Sequence, residues 1–132
     1  RLARRVTFHY GWGWVVEDDV QPDPGQQPAD GSGPAAQAEP RARHGHIVRW
    51  HFEYGVDVEE EAEGAYLARR DGAVLRVGLS GSGRVRPRLY RDTRWLGNHP
   101  TRPGEPAPWV LDVRLGGGAA QHATTMEIVS LP

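Results

Sequence analysis

Residues 46–61 have the sequence HIVRWHFEYGVDVEEE, and its alternation decides the fold class. Val48, Trp50 and Phe52 fall on one face of an extended chain, and the other face takes Ile47, Arg49, His51 and Glu53. A period of two with β-branched and aromatic residues is typical of a half-buried strand, because the apolar residues of a helix recur every three or four positions. The strand breaks at Tyr54-Gly55 and a second strand follows. We therefore expect Val48, Trp50 and Phe52 to lie in the core.

The remaining sequence has the same pattern of short alternating segments separated by turn residues. Asp71-Gly72 predicts a tight hairpin, because both positions tolerate positive φ. Strands are predicted at residues 6–10, 14–16, 65–69, 73–79, 85–91, 109–115 and 124–131. About eight or nine short strands with no convincing helix predict an all-β fold, an antiparallel β-sandwich of the supersandwich-like type.

The domain organisation is simple. The length of 132 residues suits one domain, which we place at residues 1–132. Residues 21–43 contain five prolines and no large apolar side chain, so this stretch cannot offset its chain entropy by burial. We expect it to be a mobile, Pro/Gly/Ala-rich insert. The chain enters a strand directly without an initiator Met, and we expect it to be a piece of a longer protein.

Composition excludes several classes of function. A net charge of -1 argues against general nucleic-acid binding, and no apolar run is long enough to span a membrane. The absence of cysteine excludes disulfides and thiolate chemistry. All 16 cationic side chains are arginine. This bias has two explanations: bidentate recognition of carboxylate or sulfate groups, or codon usage in a GC-rich genome.

Two clusters are candidate metal sites. His44 and His46 share a strand face, but His51 has the opposite parity, so three ligands do not converge. The acidic run at residues 59–63 lacks a calcium-loop pattern, and alternation scatters its carboxylates over both faces. We expect a solvated acidic sheet edge there, and we predict neither a metal nor a cofactor.

A ligand-binding loop is the stronger candidate. Trp95 lies in a Pro/Gly-rich loop beside arginine and histidine, and aromatic faces stack on sugar rings while arginine holds uronate carboxylates. With the polar residue His51 on the exposed side of its strand, the candidate substrate-binding residues are His51, Arg94, Trp95, His99 and Arg102. No nucleophile elbow or phosphate loop is present, and we assign no catalytic residue.

Four segments, in order, resemble the C-terminal β-sandwich of heparinase II/III-type polysaccharide lyases. They are RRVTFHYGWGWVVEDDV, HIVRWHFEYGVDVE, AYLARRDGAVLRVGL and DTRWLGNHPTRPGEPAPWVLDVRL. The resemblance covers most of the chain outside residues 21–43. It implies a parent protein, secreted or periplasmic in a bacterium, that cleaves uronic-acid polysaccharides by β-elimination.

In that family an N-terminal α/α toroid and the sandwich form the substrate cleft, and Tyr and His transfer the protons. The toroid, and a His-rich segment that holds structural zinc in some members, would precede Arg1. The resemblance thus implies that this chain is scaffold or cleft wall and is not catalytic alone. Its partners would be acidic polysaccharide and the toroid. The alternatives are a stand-alone carbohydrate-binding sandwich that uses Trp95 and a purely structural domain.

Overall fold

The computed structural model describes residues 1–21, 46–82, 85–93, 104–115 and 120–132, and within these ranges the protein is all-β. Its strands, in chain order, are β1 (Leu2–His9), β2 (Gly13–Val20), β3 (His46–His51), β4 (Asp57–Ala62), β5 (Ala65–Arg70), β6 (Ala73–Gly81), β7 (Val85–Arg91), β8 (Trp109–Leu115) and β9 (Ala120–Ser130). Among the described residues no helix is long and apolar enough to cross a membrane. The predicted fold class is confirmed.

The strands form two antiparallel sheets of unequal width. A six-stranded sheet has the order β1-β2-β9-β6-β5-β4, and a three-stranded sheet has the order β3-β8-β7. The chain therefore passes repeatedly from one sheet to the other, as expected for a sandwich. The Tyr54-Gly55 break is one such crossing, because β3 and β4 belong to different sheets. Gly55 has φ 76°, a left-handed conformation that glycine adopts without steric cost.

The core lies between the two sheets. The six-stranded sheet contributes Val20, Val58, Ala68, Val77, Ala120 and Met126 together with the fully buried Tyr66, and the three-stranded sheet contributes Val48, Leu111, Val113 and Leu115. Trp50 and Phe52 pack against this cluster, while Ile47, Arg49, His51 and Glu53 are exposed. The predicted division of the opening strand into a core face and an exposed face is confirmed.

One end of the sandwich is closed by an aromatic and ionic contact between the sheets. The indole Nε1 of Trp109 in β8 donates a hydrogen bond to Asp57 in β4, at 3.3 Å. The Arg91 guanidinium lies 4.3 Å from the Trp109 ring centroid, and it donates a hydrogen bond to the Ala107 carbonyl at 2.7 Å. The first residue of β8 in the smaller sheet is thus hydrogen-bonded to the first residue of β4 in the larger sheet.

The hairpin and the acidic edge agree with the sequence. β5 and β6 pair through Asp71 (φ 51°) and Gly72 (φ 85°), the left-handed pair expected for Asp-Gly. β4 is an edge strand, and its three glutamates are exposed, which confirms the predicted acidic edge.

Three predicted strands were too short. The segment 6–10 belongs to β1, which begins at Leu2 and ends at His9. The segment 14–16 belongs to β2, which extends to Val20, and the segment 124–131 belongs to β9, which begins at Ala120 and ends at Ser130. β2 and β9 each pair with two strands, so their ladders continue through polar residues that interrupt the apolar alternation. The predicted insert lies outside the described residues except for Gln21, and Trp95, in the predicted Pro/Gly-rich loop, lies outside them as well.

Gly13 provides a test of the β2–β9 contact. It has φ 147°, and a Cβ there would lie 1.8 Å from the Met126 carbonyl oxygen. We expect Gly13→Ala to lower the free energy of unfolding by about 2 kcal/mol or more, measured by urea denaturation. The matched control is Gly55→Ala, where φ is also positive but nothing lies within 4 Å. Its cost should stay near the roughly 1 kcal/mol of a left-handed alanine, and equal costs for both variants would contradict the clash.

Candidate functional site

The outer face of the three-stranded sheet carries a concentration of arginine. The pairing of β3 with β8 and of β8 with β7 sets residues side by side in three rows that cross the sheet. The rows, from one end of the sheet to the other, are Ile47–Arg114–Arg86, Arg49–Asp112–Arg88 and His51–Val110–Tyr90. We call this set the arginine face.

Strand alternation creates this face. In β7 the side chains of Val85 and Leu89 pack against the core, so Arg86, Arg88 and Tyr90 must point to the opposite side. The same parity applies to Arg114, because its neighbours Val113 and Leu115 are core residues. Residues directly opposite on neighbouring strands have Cβ atoms about 5 Å apart, so the arginines of three strands form one surface.

Asp112 is the centre of the arginine face, and it is only 5% exposed. Arg49 donates two hydrogen bonds to its carboxylate, Nε to Oδ1 at 2.6 Å and Nη2 to Oδ2 at 2.8 Å. The Tyr90 hydroxyl donates a third at 3.2 Å. The hydrogen bonds and charge of Arg49 lower the pKa of Asp112 against the opposing effect of burial. The carboxylate is therefore ionised and holds Arg49 and Tyr90 in place.

Tyr90 is a hydrogen-bond donor on this face. Burial raises the pKa of its phenol, and the negative charge of Asp112 raises that pKa further. The Arg88 guanidinium lies 5.0 Å from the Tyr90 ring centroid, within the range of a cation–π contact. Tyr90 thus stays protonated at neutral pH and orients Arg88 without acting as a base.

The arginine face has more cations than its acids neutralise. Arg86, Arg88 and Arg114 are exposed, and none has a carboxylate oxygen within 4 Å among the described residues. Arginines on the outer face of the six-stranded sheet differ in this respect. Arg69 pairs with Glu59, and Arg76 pairs with both Glu61 and Glu127. The positive charge left uncompensated is therefore concentrated on the smaller sheet.

The structure locates one of the five predicted binding residues. His51 is exposed at the end of β3, on the arginine face in the row of Tyr90. Arg94, Trp95, His99 and Arg102 lie outside the described residues, in the connection that leaves β7 and enters β8. Sequence reasoning missed Arg86, Arg88 and Arg114. The alternation in VRPRLYR puts Arg86 and Arg88 on one face of their strand. Arg114 joins them only because β8 lies between β7 and β3 in the sheet, which the sequence does not reveal.

A second polar cluster lies on the inner face of the six-stranded sheet. Arg4 in β1 donates two hydrogen bonds to the buried Asp18 in β2, at 2.6 and 3.1 Å. The Arg4 guanidinium also lies 5.7 Å from the ring centroid of Trp50 in the facing sheet. Asp18 is directly opposite His122 in β9, whose Nε2 is 3.0 Å from the Thr124 hydroxyl. A groove of about 500 Å³ passes along this row.

His122 is a buried imidazole, 2% exposed. Burial lowers its pKa, while the Asp18 charge and the Ser80 backbone act in the opposite direction. Its Nδ1 has no hydrogen-bond partner of acceptable geometry within the described ranges, and neither has Trp50 Nε1. A neutral imidazole beside an ion-paired carboxylate is a structural core element here, since the nearest charges already neutralise each other.

Neither cluster is a metal centre in the described part of the chain, where no group of three His, Asp or Glu side chains is placed to hold an ion. His46 and His51 belong to opposite faces of β3, as their parity predicted, and His44 lies outside the described residues.

Comparison with known proteins adds no family. No family model, curated protein or solved structure matches the chain. The functional assignment therefore rests on the geometry of the arginine face and on the resemblance drawn from the sequence.

The Asp112 network makes a prediction about acid stability. A carboxylate whose folded pKa is depressed stabilises the protein above the unfolded pKa, near 3.9, and loses that contribution as pH falls through the folded value. We expect Asp112→Asn to lower the free energy of unfolding at pH 7 by about 1–2 kcal/mol, a modest value because Arg49 is half exposed.

The variant should also lose stability less steeply than the wild type when the pH is reduced below about 4. Urea denaturation at several pH values measures both effects. Glu59→Gln, which removes one member of an exposed pair, is the control and should change neither by more than about 0.5 kcal/mol. An unchanged acid slope in Asp112→Asn would contradict the role given to this carboxylate.

Proposed function

We propose that this chain binds acidic polysaccharide through the arginine face and serves as the sandwich wall of a heparinase II/III-like lyase. One observation carries the proposal: Arg86, Arg88 and Arg114 are exposed on one face without a carboxylate partner in the described part of the chain. His51, the described member of the predicted binding set, lies on the same face.

The chemistry of the face suits a polymer with regularly spaced carboxylate or sulfate groups. The planar guanidinium of arginine binds such groups through two parallel hydrogen bonds. Arg86 and Arg88 are two residues apart on β7, about 7 Å along the strand, while Arg114 is directly beside Arg86. Several anionic groups of one chain can therefore bind at once, which favours a polyanion over a single small anion.

The net charge and its distribution favour a polysaccharide over a nucleic acid. The chain as a whole carries a charge of -1, and the outer face of the larger sheet is covered by ion pairs. A nucleic-acid surface needs a wider basic area to neutralise many phosphates. A patch limited to one three-stranded sheet suits a few subsites on a flexible sugar chain.

Tyr90 and Asp112 support binding and not proton abstraction. β-Elimination needs a base near the acidic carbon proton, with a pKa suited to that task. On the arginine face, Tyr90 has a raised pKa and its hydroxyl donates a hydrogen bond to Asp112, while the Asp112 carboxylate also accepts two hydrogen bonds from Arg49. We therefore assign neither residue the role of base, and the family resemblance implies that the chemical step depends on the toroid.

A stand-alone carbohydrate-binding module is the second candidate. The observation that favours it is the common core of both sheets, in which Tyr66, Leu111 and Val77 are fully buried. Such a core supports independent folding. The two candidates share the ligand class and differ in whether Trp95 is essential for affinity in the isolated chain.

The binding proposal is tested with the double variant Arg86→Gln/Arg114→Gln. Removing two unpaired cations from one face should weaken binding of heparin or alginate oligosaccharides about tenfold, with the remaining affinity less sensitive to salt. Isothermal titration at two salt concentrations measures this effect. The matched control, Arg69→Gln/Arg76→Gln, removes two paired arginines from the opposite face and should leave the affinity unchanged.

Equal losses in the two double variants would contradict the assignment to the arginine face. Trp95→Ala separates the two candidates, since a stand-alone module that stacks the sugar on Trp95 loses its binding signal. A neutral dextran should not bind to the wild type in either case.

The assignment of the chemistry has its own test. Pure chain incubated with heparin, heparan sulfate or alginate should give no unsaturated-uronate absorbance, because the family resemblance implies that the substrate cleft forms only together with the toroid. Turnover that co-purifies with the chain and falls in Arg86→Gln/Arg114→Gln would show that this chain holds a catalytic site.

A further inference from the structure

Among the described residues, no strand pairs with the outer edge of β1. Arg1 and Gln21 exchange both of their backbone hydrogen bonds, each at 2.8 Å, so they form a hydrogen-bonded pair of the β1–β2 ladder. Such pairs alternate along an antiparallel ladder, and the residues between them direct their N–H and C=O groups to the other side. Leu2, Arg4, Val6 and Phe8 therefore direct their backbone groups away from β2, toward the open edge.

The same residues carry exposed apolar side chains. Leu2 is 52% exposed, Val6 62% and Phe8 67%, and no residue of β1 is buried. The two arginines of the strand do not protect the edge, because both are directed to acids of β2. Arg4 binds Asp18 at 2.6 Å, and Arg5 lies 3.9 Å from Glu17. β1 thus combines free backbone groups, apolar side chains and neutralised charges.

The other sheet edges in the described ranges carry features that discourage pairing. β4 has three exposed glutamates and a register shift between Glu60 and Ala62. β7 contains Pro87, which has no backbone N–H, and β3 is short, with six residues. Proline, charge, irregular register and shortness all oppose edge pairing in natural sheets. β1 has an uninterrupted register from Leu2 to His9.

We propose that a second copy of this chain pairs with β1 in an antiparallel manner, about a two-fold axis at Val6. The two six-stranded sheets then form one continuous sheet with an isologous interface. Val6 is opposite Val6 of the other copy, and these two residues exchange backbone hydrogen bonds. Arg4 is opposite Phe8 of the other copy, and Arg5 is opposite Thr7.

Charge selects this register over its neighbours. A two-fold axis normal to the sheet lies midway between one residue and the same residue of the other copy. Only then do the side chains of directly opposite residues point to the same side of the sheet. An axis at Arg4 or Arg5 places like charges directly opposite, which destabilises a sheet pair. An axis at Thr7 avoids that repulsion but shortens the overlap. With the axis at Val6, no arginine of one copy lies directly opposite an arginine of the other. This register also places the Arg4 guanidinium beside the aromatic ring of Phe8 of the other copy.

Sedimentation equilibrium of the wild-type chain should show a concentration-dependent dimer. Val6→Pro removes an N–H that faces the open edge, so it should raise the dimer dissociation constant about tenfold or more without breaking the β1–β2 ladder. An unchanged thermal melt of the monomer confirms that the fold is intact. Leu131→Ser, which removes a side chain of similar exposure (71%) outside β1, is the control and should leave the dimer unchanged.

The register has a separate test, because the chain contains no cysteine. Val6→Cys should form a disulfide-linked dimer on mild oxidation, since paired Cα atoms are about 5.5 Å apart, within disulfide range. Thr7→Cys should link poorly, because its counterpart lies two positions away. A monomer at all concentrations up to millimolar, a dimer unaffected by Val6→Pro, or preferential linkage of Thr7→Cys would overturn the proposal.

Discussion

The unequal width of the two sheets is the constraint on which the rest of the structure depends. Three strands cannot cover six, so part of the inner face of the larger sheet extends beyond the core that it shares with β3, β8 and β7. Toward β1 this face carries the ionic row of Arg4, Asp18 and His122, while the side chains of Leu2, Val6 and Phe8 stay exposed. An ionic row and an edge strand with no buried side chain are the result of a missing second layer.

Both buried carboxylates are held by the same device, an arginine on the neighbouring strand. Asp18 accepts two hydrogen bonds from Arg4, and Asp112 accepts two from Arg49. In each case the two residues are direct partners in the strand register. A slip of one residue would move the carboxylate to the other face and leave a charge buried without its partner, which is costly. These pairs therefore specify strand register at one position in each sheet.

The sequence was sufficient for the local structure and insufficient for the site. Alternation in residues 46–61 identified the core face of β3, and Asp71-Gly72 identified the β5–β6 hairpin, because both depend on neighbours in the chain. The arginine face depends on β8 lying between β3 and β7, a non-local order that no spacing in the sequence reveals. The sheet crossing at Tyr54-Gly55 was also hidden, since a turn residue looks the same whether the next strand pairs or leaves the sheet.

Pro87 and the acidic β4 edge have a consequence for the size of any assembly. A sheet that pairs at one edge and leaves its other edge open can add further copies without limit, and fibres form in this way. Here the far edge of the larger sheet is the acidic, irregular β4, and the smaller sheet has proline on one outer strand. Once β1 is paired with another β1, the remaining edges of the described strands resist further addition. Association through β1, as proposed, would therefore stop at a dimer.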